Sequence, residues 1–151
     1  MIFIAHRGNM KGPSPHEENR PDIIDKTYHQ YGFHSEVDLW RIGDTFWLGH
    51  DEPQYDVDLG WLKTRMNLLW IHCKNIEAMI GLKYTGMDFN YFWHEEDAYT
   101  LTSKGYIWAY PGKRVPTKCN AIAVMPEAVD MPISDLKQFR GVCTDFGINY
   151  I

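Results

Sequence analysis

Residues 34 to 51, HSEVDLWRIGDTFWLGHD, hold the side chains whose types and spacing could do chemistry. Successive side chains of an extended strand alternate between faces, so Glu36 and Asp38 share one face, Val37 and Leu39 the other. Two carboxylates held side by side repel, and each favours its protonated form unless a cation sits between them. A divalent metal ion is the expected resident. After a turn at Gly43-Asp44, the run from Thr45 to Gly49 delivers His50-Asp51, so a proton carrier follows closely on the carboxylate pair. Together these are the materials of a phosphate-handling site. The plainer alternatives are a solvent-facing acidic side of an amphipathic strand for Glu36 and Asp38, and ordinary hydrogen-bonded histidines elsewhere.

The elements that must position these groups follow a repeated rhythm. Ile2-Phe3-Ile4-Ala5 is a short apolar run of the kind that forms a strand buried on both faces, and it stops at His6-Arg7-Gly8. Residues 9 to 20, NMKGPSPHEENR, read as a loop bordering that strand end, closed by Glu18-Asn19. Pro21 suits the first position of a helix running to Tyr31, with Gly32 as its stop. Residues 51 to 67 read as a connection with one helical turn near Leu59 to Lys63. Asn67 to Ile71 is a strand ending at His72-Cys73-Lys74, and Asn75 caps a helix carrying Ile76, Met79, Ile80 and Leu82. Further strands are expected over Phe89–Trp93, Tyr106–Ala109, Ala121–Met125 and Gly141–Thr144, with His94 to Asp97 as the polar start of a short helix and Ser134 capping another through Phe139.

Counted along the chain, seven apolar runs end in a polar or aromatic residue, near His6, Asp38, His72, His94, Tyr110, Glu127 and Asp145. Parallel strands buried on both faces give this pattern, and in (β/α) barrels the C-terminal strand ends build the site. The expected fold is therefore α/β, a compact, shortened TIM-type barrel. Such barrels usually need about 250 residues, so this one must have reduced its outer helices. An open doubly wound sheet is the rival, although no glycine-rich phosphate loop follows the first strand.

The 151 residues suit one domain over 1–151, and 44% hydrophobic with 15% aromatic content is that of a globular chain. A net charge of −5 argues against a general nucleic-acid binder, which needs a basic face. Three widely spaced cysteines, Cys73, Cys119 and Cys143, fit neither a zinc nor a disulfide pattern and are expected as reduced, buried thiols of a cytoplasmic protein. No segment reaches transmembrane length, so no integral membrane segment is expected.

His6-Arg7-Gly8, Glu18-Asn19, Glu36-Val37-Asp38 and His50-Asp51 occur in an order that resembles the glycerophosphodiester phosphodiesterases. In that family an HRG motif ends the first strand of a TIM barrel, EN follows in the first loop, ExD ends the second strand, and HD follows a short hairpin. The likeness covers roughly the first third of the chain, with an echo at Gly141 to Phe146 of the family's last strand. It implies a metal-dependent phosphodiester hydrolase using Mg²⁺, Ca²⁺ or Mn²⁺. His6 and His50 would be the catalytic acid and base, Glu36 and Asp38 metal ligands, and Arg7, Lys74 and Glu18 would serve substrate binding. The third strand departs from the family's ExK, because His72-Cys73-Lys74 keeps the lysine and replaces the carboxylate. His72 could be a third metal ligand or a hydrogen-bonded residue of the interior. Sphingomyelinase D-like enzymes share the barrel and its two-histidine chemistry, so a lipid-directed phosphodiesterase is a second expectation. A degenerate barrel that binds a phosphorylated ligand without turnover is a third. His94 is not expected to be catalytic, and His16, His29 and His34 are expected at the surface.

Overall fold

The computed structural model describes residues 1–116 and 118–151 as a mixed α/β protein with few helices. Its strands are β1 Ile2–Ala5, β2 His34–Ile42, β3 Thr45–Leu48, β4 Tyr55–Val57, β5 Leu69–Cys73, β6 Tyr91–Phe92, β7 Tyr99–Leu101, β8 Ile107–Ala109, β9 Ala121–Val124 and β10 Gly141–Thr144. Its α-helices are α1 Pro21–Tyr31, α2 Leu59–Thr64, α3 Ile76–Tyr84 and α4 Ile133–Leu136. All ten strands join one sheet.

The seven apolar runs form a continuous parallel array in the order β6, β5, β2, β1, β10, β9, β8. Their common direction puts all their polar C-terminal ends on one edge, as the sequence rhythm requires. The β3–β4 hairpin branches from the far end of β2, antiparallel to it, with Gly43 at φ 58° in the tight turn between β2 and β3. β7 is antiparallel to β8 and occupies the outer edge.

The sheet is not closed, so the barrel expected from sequence is met only as a mixed α/β sheet with its strand ends gathered. Between β6 and β7 a few bonds stand in for a ladder. Ser103 N–H donates to Tyr91 O at 2.8 Å, Tyr91 N–H donates to Ser103 Oγ at 3.0 Å, and Thr100 Oγ1 donates to Trp93 O at 2.9 Å. Across the same gap Phe92 packs on Trp108, ring centroids 4.8 Å apart, and Trp108 on Trp70 at 5.9 Å.

Both faces of the parallel strands are buried. Ile4, Trp70, Phe92, Trp108, Ile122 and Cys143 pack together on one side. Val37, Leu39, Leu69 and Ile71 meet Ile24 of α1, Leu62 of α2 and Ala78 and Leu82 of α3 on the other. Helix α1 begins at Pro21 and ends at Gly32 in the left-handed region (φ 71°), as the sequence predicts. Asn75 caps α3 by accepting from Ala78 N–H at 3.1 Å.

Several expectations change. Residues 55–57 form β4, a three-residue strand that exists by pairing with β3. No helix starts at His94. That segment runs as bends into β7, because its polar groups are taken up by Tyr110 and Thr100 instead. Helix α4 is a single turn capped by Pro132, without a side-chain bond from Ser134. His34 is half-buried and accepts from Trp70 Nε1 at 3.2 Å rather than facing solvent. Cys73 and Cys143 are buried free thiols, with burial pushing the Cys73 thiol up to about 12, whereas Cys119 is half-buried. Among the described residues no helix is long and apolar enough to cross a membrane.

Candidate functional site

Register brings the carboxylates and the third-strand histidine together. Asp38 on β2 pairs directly with His72 on β5, and the strand's two-residue period puts Glu36 on the same face as Asp38. One ligand atom from each of Glu36, Asp38 and His72 lies within 4.8 Å of the other two. Lys74 reaches the same point, its Nζ 3.7 Å from Asp38 Oδ1.

From β1 the chain enters a 3₁₀ turn, His6–Gly8, with Arg7 in the left-handed region (φ 52°). That conformation is uncommon for a residue with a side chain, and here it turns three donors toward carboxylates. Arg7 N–H donates to Glu36 Oε2 at 3.2 Å, Nη1 donates to Glu18 Oε2 at 3.1 Å, and Nε stands 3.2 Å from Asp38 Oδ2. Asn19, fully buried and also left-handed (φ 61°), donates to Asp38 Oδ2 at 3.0 Å and accepts from Asp38 N–H at 2.9 Å.

His6 faces two carboxylates. Its Nδ1 is 2.8 Å from Asp145 Oδ1 and its Nε2 is 3.9 Å from Glu36 Oε2. Asn9 Nδ2 holds Asp145 Oδ1 at 2.8 Å and Glu18 Oε1 at 3.0 Å. His50 arrives from the other side. Gly49 adopts φ 151°, and a Cβ there would collide with the Glu52 carbonyl, so only glycine makes this turn. Gly49 N–H donates to Asp38 O at 3.1 Å and its carbonyl accepts from Trp40 Nε1 at 2.7 Å, which ties His50 to the end of β2. His50 Nδ1 contacts Asp51 Oδ1 at 2.7 Å.

The electrostatics divide like residues into unlike states. Burial opposes charge on His6, but the hydrogen bond to Asp145 and the charge of Glu36 outweigh it and raise its pKa. Burial, with Arg7 and Lys74 nearby, lowers that of His50 against the pull of Asp38 and Asp51. Burial and the charge of Asp38 raise Glu36. Asp38 is also buried, yet its hydrogen bond from His72 and the charge of Arg7 hold it well below the usual carboxylate range. The pair expected to repel symmetrically is thus split: Asp38 is firmly ionised and Glu36 retains its proton more tightly.

The fit to a metal ion rests on donor chemistry. Asp38 Oδ1 and His72 Nδ1 stand 3.1 Å apart, the spacing of adjacent ligands around an ion held at about 2.1 Å. His72 Nε2 lies 3.4 Å from the His94 carbonyl. With Nδ1–H as donor His72 gives Asp38 the hydrogen bond described above; in the other tautomer, with Nε2–H turned to the His94 carbonyl, Nδ1 offers its lone pair beside Asp38, and this is the form that could join it in holding a cation. With Glu36 ionised, Glu18, Glu36, Asp38 and Asp145 against Arg7, Lys74 and a protonated His6 leave one negative charge in excess; with Glu36 protonated the charges balance.

The structure brings together His6, Arg7, Glu18, Glu36, Asp38, His72 and Lys74, with His50 at the rim. Sequence reasoning gave no role to Asp145, Asn9 or Asn19. Asp145 ended the last apolar run, which was its available signal. His94 stacks on His72, centroids 4.4 Å apart, and the Tyr110 hydroxyl lies 3.1 Å from its Nδ1. Burial and the neighbouring His72 push its pKa down to about 4. No family model, curated protein or solved structure matches this chain.

Proposed function

We propose that the protein is a metal-dependent phosphodiester hydrolase acting on glycerophosphodiester-like substrates, related to the family its motifs resemble. The observation that carries this is the convergence, at the C-terminal ends of parallel strands, of two histidines in opposite electrostatic settings with a Glu36, Asp38, His72 donor set.

Arg7 and Lys74 are the cations that hold the phosphate, and Glu18 and Asn9 keep Arg7 and Asp145 in place. His50, kept neutral to lower pH, takes the proton of the attacking hydroxyl, either water or a neighbouring hydroxyl of the substrate's own alcohol. His6, kept protonated by Asp145, donates a proton to the departing alkoxide. The P–O bond to the leaving alcohol breaks as the new one forms. The products are an alcohol and a phosphomonoester, or a cyclic phosphate when the substrate's own hydroxyl attacks. Glu36, Asp38 and His72 would hold Mg²⁺, Ca²⁺ or Mn²⁺, which when bound neutralises charge on phosphoryl oxygens.

The test is hydrolysis of glycerophosphodiesters with each of these metals by the parent, His6→Ala and His50→Ala. The expected loss in each variant is on the order of 10²–10⁴-fold in kcat, the usual contribution of a positioned proton carrier. Activity surviving in both would remove this mechanism. A second reading, binding of a phosphorylated ligand without turnover, is favoured by one observation. Asp38 already bonds Asn19 and His72 and has the charges of Arg7 and Lys74 beside it without an ion. Calorimetric binding of a glycerophosphodiester with no product under any metal would select it.

A further inference from the structure

We infer that Glu127 is a positioning residue for His6, acting through Asp145. The inference rests on the reading of His6 as the proton donor. The chain leaves β9 through Met125 in the left-handed region (φ 42°, ψ 57°) and enters a 3₁₀ turn, Pro126–Val129. A residue with a side chain adopts this conformation at a cost. Its consequence is to bring the Glu127 carboxylate to the end of β10.

There Glu127 Oε1 accepts from Asp145 N–H at 2.8 Å and from the Thr144 hydroxyl at 2.9 Å. The same hydroxyl accepts from Phe146 N–H at 3.0 Å. Backbone on both sides of the Asp145 side chain is thereby fixed. Asp145, so held, receives His6 Nδ1 and Asn9 Nδ2 on one oxygen, each at 2.8 Å. With Nδ1–H donated to Asp145, His6 presents Nε2 toward Glu36 and the strand-end site. Two hydrogen bonds thus run from Glu127 to the ring whose Nε2 faces the chemistry.

Glu127 Oε2 is buried without a hydrogen-bond partner among the described residues. An orphaned carboxylate oxygen is costly, and closing a strand end does not require one. The arrangement makes sense if the reach of this side chain to Asp145 N–H matters more than the comfort of its second oxygen.

The experiment compares the parent with Glu127→Ala, Glu127→Gln and Thr144→Val. Two readouts are used: kinetics on a glycerophosphodiester, and the low-field NMR resonance of the His6 Nδ1 proton, which needs no turnover. Glu127→Ala is expected to lower kcat about ten- to hundredfold, by analogy with the outer partners that orient metal-bound histidines, with KM unchanged. It should also shift or broaden the His6 resonance. Glu127→Gln, whose carbonyl oxygen accepts the same two bonds, should restore both readouts. Thr144→Val removes one donor and should move both in the same direction by less, and it carries the test if Glu127→Ala does not fold. An unchanged His6 resonance and kcat in the folded variant overturn the inference, as does equal loss in Glu127→Gln and Glu127→Ala. A parent without activity whose His6 resonance still depends on Glu127 overturns the hydrolase reading and leaves the positioning role standing.

Discussion

His6 and His50 are the same amino acid with pKa values shifted in opposite directions, and under the hydrolase reading the difference predicts a pH profile. A general base must be neutral, so activity rises with pH through the His50 pKa, which lies below the ordinary histidine value of about 6.5. A general acid must be protonated, so activity falls as pH rises through the His6 pKa, which lies above it. The log of kcat/KM should therefore show a plateau straddling the ordinary value. Asp145→Asn leaves an acceptor for His6 Nδ1–H but removes the charge that helps raise His6 and weakens the bond, so the alkaline limb should move to lower pH while the acid limb stays. Movement of the acid limb alone would reverse the two roles. His72 allows a separate test. Glutamate in its place gives the site a third carboxylate, which should strengthen Ca²⁺ binding relative to Mn²⁺ by calorimetry. Identical preference in His72→Glu and the parent would mean that His72 is no ligand.

Elements whose residues alone determine them agree with sequence, and those made by a partner do not. Helix α1 and strand β10 fall where Pro21, Gly32 and the Gly141–Thr144 run place them. β4 and β7 are three residues each, and their extended form comes from pairing with β3 and β8, which no local pattern encodes. The same division holds for the site. Glu36, Asp38 and His72 follow from strand period plus register, whereas Asp145 reaches His6 across 139 residues of chain. One junction shows how tightly elements are coupled at the site. Asn75 Oδ1 accepts from Arg41 N–H at 3.0 Å as well as from Ala78 N–H, and its Nδ2 donates to Arg41 O at 2.9 Å. Asn75→Ala therefore loses a helix cap and two bonds to β2, and should cost about 2 kcal/mol in denaturant melts. Asn75→Asp keeps both acceptor bonds and should lose less. Equal losses would place the energy in the Arg41 carbonyl bond alone.

At the scale of the whole molecule, the strand-end site buries a carboxyl group whose charge its burial disfavours. Glu36 is 3% exposed, and burial together with Asp38 raises its pKa. A carboxyl whose folded pKa is raised contributes stability as pH falls through that value, and opposes folding above it, where the charged form must be buried. Glu36→Gln keeps the shape and an acceptor for the Arg7 N–H but removes the charge, so without metal it should melt higher than the parent at neutral pH. The gain should shrink as pH falls, because both folded and unfolded Glu36 are then protonated. Each 1 kcal/mol corresponds to about 2–4 °C in a chain of this size. If Glu36 is a metal ligand as proposed, metal should reverse the order. An ion bound only by the folded state adds about 2.7 kcal/mol at a hundred times its Kd, and this applies to the parent while Glu36→Gln loses a charged ligand. Thermal melts with and without Mn²⁺ should therefore cross: the variant higher in chelator, the parent higher in metal. A stability gain by Glu36→Gln in chelator, with equal metal response in both proteins, would assign the buried charge to substrate or proton chemistry and remove Glu36 from the metal site.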